Sequence, residues 1–306
     1  MFFDPNVSKE SAKKPILAAT IVLLHQSQSG EIKVFLAQRS EQSKFMPGAH
    51  VFPGGKVEDD DNILCDRVRI FHNQLLQTHL HPIEFFNFET INPNALIVAA
   101  IRESFEEIGL LFVVDENGHP VQKDFSQHRI KIRNKAISFA DFLKTEQLFI
   151  DAGHLQYFSR WVTPFQEKKR FDAHFFLAHV SEEQFTQAKT DNEEMFFGSF
   201  LTLEDIFLMY EKQNLILMPP TLKTLDQLVQ ISQNKKIEDF FHQIWHQPHL
   251  PIQPFPVINK NLSLLLPNNA CFPHEKSTEE SQKYYCNALG KNSFLLLEDG
   301  KWLLKE

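Results

Sequence analysis

The stretch Arg102-Glu103-Ser104-Phe105-Glu106-Glu107-Ile108-Gly109 decides how this chain is read. It ends a helix whose start is written in Asn92-Pro93-Asn94, with Asn92 suited to the N-cap and Pro93 to the first helical position. Ala95 to Ile101 supplies an apolar body, and Gly109 is the matching stop. Positions three and four apart share a helix face, so Glu103, Glu106 and Glu107 project together, with Arg102 close enough to Glu106 to orient it. Carboxylates crowded on one face raise one another's pKa unless a cation lies among them. Oxygen ligands of this kind suit Mg2+ or Mn2+, which complete their octahedral shells with waters and substrate phosphates. A solvated acidic surface is the competing reading, and the helix alone leaves both open.

Upstream lies Phe52-Pro53-Gly54-Gly55-Lys56-Val57-Glu58-Asp59-Asp60-Asp61. Paired glycines let backbone approach a ligand closely, and a backbone carbonyl can itself ligate a cation. A phosphate-binding P-loop is excluded, because no Ser or Thr follows Lys56 and His50 stands where that motif needs its first Gly.

Together the two pieces resemble the Nudix box, G-x5-E-x7-R-E-U-x-E-E-x-G-U with U apolar. Gly55, Arg102, Glu103, Glu106, Glu107, Gly109 and Leu110 match it. Asp61 stands in for the first Glu, Ser104 for an apolar residue, and about 33 extra residues separate Asp61 from Arg102. Loop-closure entropy grows only logarithmically with length, so such an insertion is tolerable. A box interrupted at this point is similar to the coenzyme A diphosphatase-like Nudix branch. Phe45-Met46-Pro47-Gly48-Ala49-His50-Val51-Phe52, Trp161-Val162-Thr163-Pro164 with Arg170-Phe171-Asp172, and Leu217-Met218-Pro219-Pro220-Thr221 extend the likeness in the same order.

The resemblance implies an α/β fold, the Nudix α/β/α sandwich with a mixed sheet. It implies Mg2+ or Mn2+ held by Glu103, Glu106 and Glu107 with a backbone oxygen at Gly54 or Gly55. Catalysis would fall to Glu103 as the base, with Arg102 orienting the carboxylates; Glu194, in an acidic turn, is the alternative base. Arg39 and Arg170 are candidates for gripping phosphates, since a guanidinium pairs two oxygens at once. The implied substrate is coenzyme A or an acyl-CoA, cleaved to a phosphopantetheine and 3',5'-ADP. ADP-ribose, a dinucleotide or another nucleoside diphosphate derivative is the alternative, and a non-catalytic nucleotide-binding regulator the rival class.

Working outward, Ile16 to Leu24 and Ile32 to Gln38 read as strands joined by a polar turn, and Leu110 to Val114 as the next strand. Phe139 to Phe149 reads as a helix, Trp161 to Thr163 and Ala173 to Val180 as strands, and Ser181 to Ala188 as a short helix. Leu201 to Glu211 and Leu222 to Ser232 have helical apolar spacing. The expected domain is 1–246, with 62–94 as the insertion. Proline-rich 247–306, with strand-like pieces at Leu262 to Leu266 and Phe294 to Leu297, is expected to be a tail packed on that domain. Asn62 to Glu89 has enough apolar residues to dock beside the cleft as an ordered element.

The 306 residues allow a full core, and a formal charge of -8 argues against a general nucleic-acid binder. Cys65, Cys271 and Cys286 form no CxxC pair, which suggests a reducing compartment. Ile16 to Leu24 is too short to span a membrane and no small-residue cleavage site follows it, so the cytoplasm is expected. Most of the 30 Phe are expected in the core, and the 14 His show no metal-site spacing.

Overall fold

In the computed structural model the apolar run Ile16 to Leu24 is the central strand, β1 (Ile16–Gln26), and the layers are arranged about it. The structure describes residues 11–43, 45–70, 91–121, 123–190, 195–232, 251–258, 261–269, 289 and 293–305. A turn at Ser27 to Gly30 leads into antiparallel β2 (Ile32–Arg39). The chain then lays β3 (His50–Val51) on β2 and β4 (Gly54–Lys56) on β1. Next come α1 (Asp59–Ile63), a 3-10 turn at Cys65–Arg67, and β5 (Val68–Arg69).

The acidic helix is α2 (Pro93–Ile108). Asn92 caps it by accepting from the Asn94 amide at 3.1 Å, and Gly109 closes it in the left-handed conformation at φ 80°. Then follow β6 (Val113–Val114), α3 (Ser126–Arg133), α4 (Phe139–Thr145) and β7 (Phe149–Asp151). Two long strands, β8 (Leu155–Val162) and β9 (Phe171–His179), precede α5 (Glu182–Gln187), β10 (Met195–Thr202), α6 (Leu203–Glu211) and α7 (Pro219–Ser232). The remaining strands are β11 (Pro251–Ile252), β12 (Phe255–Ile258), β13 (Leu262–Leu265), β14 (Phe294–Glu298) and β15 (Lys301–Lys305).

The main sheet runs β10-β2-β1-β9-β8-β11, with β3 and β4 as side branches. It is mixed, as expected: β1 is antiparallel to β2 and parallel to β9. Strand alternation sorts β1 into two cores. Ala19, Ile21 and Leu23 meet Leu96, Ala100 and Phe105 of α2 and Phe142 of α4. Val22 and Leu24 meet Ile206 and Tyr210 of α6 and Leu222, Leu225 and Leu228 of α7. Each large apolar side chain so enclosed stabilises the fold by roughly 1.5–3 kcal/mol before entropy is charged against it. The result is an α/β/α sandwich.

The strands after residue 251 form their own antiparallel sheet, β12-β13-β14-β15, yet Leu264, Leu295 and Trp302 lie in the same second core as α6 and α7. Tyr210 donates its hydroxyl to the Trp302 carbonyl, and Lys301 Nζ stands 4.6 Å above the Tyr210 ring.

Several local expectations are corrected. Leu110 to Val114 is strand only at Val113–Val114, because Leu110 and Phe112 turn into the first core after the Gly109 cap. The helix expected to Phe149 stops at Thr145: Gln147 takes φ 56°, and Phe149–Asp151 pairs with β5 and β6 instead. Strand β8 begins at Leu155, well before Trp161, and ends before Thr163. α3 is polar and lacks a side-chain cap, so it carries no clear helical signal. β10 contains a bulge, with exposed Phe197 at φ 47°, that breaks the two-residue alternation. Of the insertion, residues 71–90 lie outside the described residues, as does the expected ordered packing there; the described part contributes the end of α1, the 3-10 turn and β5.

Candidate active site

β4 brings Gly54 and Gly55 beneath α2. Gly54 N donates to Glu107 Oε2 at 3.0 Å, tying the loop to the helix. Gly55 lies so near Glu103 that a Cβ there would stand 2.2 Å from Oε1. A side chain at the second glycine would thus displace the end of Glu103. Gly54 is held more strictly, since a Cβ there would stand 2.5 Å from the backbone carbonyl of Ala19 and 2.7 Å from Thr20 Cα.

Arg102 organises the rest. Its Nε reaches Asp61 Oδ1 at 2.9 Å and its Nη2 reaches Asp61 Oδ2 at 3.0 Å, a two-pronged pair between side chains 6% and 1% exposed. Nη2 also donates to the Lys56 carbonyl at 2.8 Å. Nη1 donates to Glu103 Oε1 at 2.8 Å and to Glu106 Oε1 at 3.3 Å. Burial disfavours a charged guanidinium, but these carboxylates outweigh it and hold Arg102 ionised far above the ordinary range. Asp61, which stands where the box has its first Glu, is the partner of Arg102. Its Oδ2 also accepts from the Glu58 amide at 2.8 Å, within the capping box that starts α1. The two halves of the split motif are thus joined by an ion pair.

Glu106 is pushed above the usual carboxylate range, first by burial and further by Glu58 and Asp61, against the opposing pull of Arg102. Glu103 and Glu106 converge on one cationic nitrogen, and a hard divalent ion is what that oxygen pair would accept in addition. Among the described residues no three His, Cys, Asp or Glu side chains stand together ready to hold an ion. Arg102 bridges Glu103 and Glu106, while Glu107 is turned onto Gly54. The donor chemistry fits Mg2+ or Mn2+, and loading would require these side chains to shift.

Glu194 lies outside the described residues. Arg39 Nε donates to the Phe45 carbonyl at 3.2 Å and Nη2 to Ser43 Oγ at 3.2 Å, bracing the 40–49 loop from the end of β2. Arg170 is 9% exposed and donates from Nε to the Thr163 carbonyl and from Nη1 to the Lys13 carbonyl. Those two bonds tie the β8–β9 connection to the segment before β1. Cys65 donates to the Asp61 carbonyl at 3.6 Å, and burial with nearby Asp61 and Asp66 pushes its thiol pKa up. The other expected sequence pieces also meet: His50 donates its amide to the Ile216 carbonyl at 2.8 Å and bridges Leu217.

A polar chain on β8 and β9 was missed from sequence. Tyr157 Oη lies 2.8 Å from His174 Nδ1, His174 Nε2 lies 3.3 Å from Asp172 Oδ1, and Arg160 grips Asp172 with Nε at 2.7 Å and Nη2 at 2.6 Å. Polar residues at every second position of an otherwise apolar strand, Asp172 and His174 in β9, were the available signal.

The family model described as the NUDT19 Nudix domain matches residues 9–228, which contain both halves of the box. The acyl-coenzyme A diphosphatase NUDT19 of Xenopus laevis is 25% identical over 247 residues, 70% of this chain and 64% of that protein. Its Homo sapiens namesake is 28% identical over 182 residues, 49% of this chain and 48% of that protein. The chain therefore spans less than two thirds of the length of these relatives. A crystal structure of a Nudix hydrolase from Alicyclobacillus acidocaldarius superposes with a TM-score of 0.62 at 24% identity, covering 74% of this chain and 96% of that one, a likeness of fold. With the family model covering most of the chain and the split box closed in space, the chain belongs to the Nudix family, in the branch represented by the NUDT19 Nudix domain.

Proposed function

We propose that this chain hydrolyses the diphosphate of coenzyme A or an acyl-CoA, releasing a phosphopantetheine and 3',5'-ADP. The observation that carries the reading is a Nudix box split after Asp61 and rejoined by Arg102, in a chain whose family model is the NUDT19 domain. The relatives bearing the acyl-coenzyme A diphosphatase name support that choice of substrate. Glu103, Glu106 and Glu107, with a Gly55 backbone oxygen, would hold Mg2+ or Mn2+. When bound, such an ion neutralises charge on the phosphoryl oxygens and eases ionisation of water.

The chain's own groups do the rest. Arg102 donates from one nitrogen to both Glu103 and Glu106 and so aims them at one point. Glu103, whose side chain is 16% exposed, accepts the proton as water attacks phosphorus; Glu194 is the alternative base. The oxygen bridging the two phosphorus atoms leaves with its bonding pair. Arg39 and Arg170 would steady substrate phosphates after exchanging a present partner for phosphate oxygen. No described helix is long and apolar enough to cross a membrane. The compartment we propose is the cytoplasm, and neither nucleic acid nor a membrane is a proposed partner.

Incubation with Mg2+ or Mn2+ and CoA, an acyl-CoA, ADP-ribose or NADH, followed by mass analysis, tests the reading. The expected products are 3',5'-ADP and the phosphopantetheine. Faster turnover of ADP-ribose or NADH would replace the substrate, and binding with no turnover of any of them would make the chain a nucleotide-binding regulator.

A further inference from the structure

We propose that Arg160 binds a second phosphate of the substrate, the ribose 3'-phosphate, at a distance from the diphosphate that is cleaved. This rests on the CoA reading above. The sheet register supplies the placement. Ala19 of β1 stands between Gly55 of β4 and His174 of β9, and His174 stands opposite Arg160 of β8. Gly55, Ala19, His174 and Arg160 therefore form one row on the face that carries Glu103, since cross-strand partners share a face. Strands lie about 4.8 Å apart, so Arg160 starts about 14 Å from Gly55, and its long side chain can cover several ångströms of that span. That is the scale of a ribose bearing phosphates at both ends.

The face changes character along its strands. Ile21, Leu23, Leu155, Phe176 and Ala178 are buried apolar residues of the first core. At the row of Gly55 and the one beyond it the same face becomes ionic, with His174, Arg160 and Asp172. Charged groups in a core region are costly unless paired, and here Asp172 pairs with Arg160 and faces His174. Asp172 takes the Nε and Nη2 edge of Arg160, and that carboxylate does not cover Nη1. The Arg160 side chain remains 28% exposed, unlike Arg102 at 6%. Burial pushes the His174 pKa down against the pull of Asp172; its Nε2 stands 3.3 Å from Asp172 Oδ1 and its Nδ1 2.8 Å from the Tyr157 hydroxyl, so the ring is packed between the two. The guanidinium is thereby fixed in orientation, as selective recognition of a phosphate requires.

The test compares CoA with 3'-dephospho-CoA under Mg2+, in wild type, Arg160→Gln and Arg160→Lys. Wild type is expected to favour CoA in kcat/KM. Arg160→Gln should lower that preference by roughly ten- to a hundredfold, mainly through KM for CoA, and Arg160→Lys by less. Without metal, 3',5'-ADP should bind wild type more tightly than AMP does, and Arg160→Gln should erase the difference. A cooperatively melting Arg160→Gln with the wild-type preference overturns the proposal, as does a wild type that treats the two substrates alike. If Arg160→Gln does not fold, Arg160→Lys with an unchanged preference overturns it. Should wild type hydrolyse neither substrate, the CoA reading falls, and the metal-free comparison of 3',5'-ADP with AMP still decides Arg160.

Discussion

Arg102 and Asp61 are 41 residues apart in sequence and joined by two side-chain hydrogen bonds of 2.9 and 3.0 Å in the interior. The pair fastens the start of the insertion to the catalytic helix and leaves Arg102 Nη1 for Glu103 and Glu106. Removing one partner of a buried pair leaves the other charge unpaired, at a cost on the order of 3–5 kcal/mol. Asp61→Ala should therefore lower the urea unfolding midpoint by that equivalent. A shift below about 1 kcal/mol would mean the pair does not close the box.

Glu103→Gln and Glu106→Gln should both retain the wild-type melting profile and lose turnover. For Glu103, as proton acceptor, the loss in kcat should be about 10²–10⁴-fold. For Glu106, added Mn2+ should restore part of the rate if the lost function is ligation. Wild-type turnover in Glu106→Gln would place the metal site elsewhere.

Gly55→Ala asks whether the glycine is there for the carboxylate. The added methyl must displace Glu103, whose Oε1 would lie 2.2 Å from it. The Mg2+ concentration for half-maximal rate should rise by roughly ten- to a hundredfold, as for loss of a group that orients a ligand. An unchanged metal requirement would show that Glu103 moves aside without consequence.

Asp172 provides a pH prediction. Burial alone would raise its pKa, but the bonds from His174 and Arg160 outweigh burial and hold it well below the usual carboxylate range. A depressed folded value contributes stability that is present above the unfolded value, near 4, and is lost as pH falls toward the folded one. Asp172→Asn should thus be less stable than wild type at pH 7 and at pH 5, with the gap shrinking by pH 3. Urea midpoints at the three values would show it; a gap that widens on acidification contradicts the assignment.

Trp302→Ala tests the tail. The indole is 4% exposed in the core shared with α6 and α7. Its removal should cost roughly 3–5 kcal/mol in a single cooperative transition. Two separate transitions, with only the smaller one shifted, would make the tail an independent unit.

The parts legible in the sequence were those specified by local chemistry. Asn92, Pro93 and Gly109 bound a helix because caps act over one turn, and Glu103, Glu106 and Glu107 share a face because helical period is fixed. The central strand was legible because apolar residues fill β1 on both faces. β10 and the short helix α3 were not, since a bulge breaks the alternation of one and a polar composition hides the other.

The sequence by itself therefore determined the helix, its carboxylates and the paired glycines, together with the order in which the family's pieces occur. What they touch follows from the tertiary structure alone: Asp61 pairs with Arg102, Arg170 donates to two backbone carbonyls, and Arg160 stands in the row of Gly55. Such pairings depend on sheet register and on contacts such as those of Arg102 with Asp61, 41 positions away, and of Arg170 with Lys13, 157 positions away. Local periodicity carries no information about them, because they arise only when the two cores have closed.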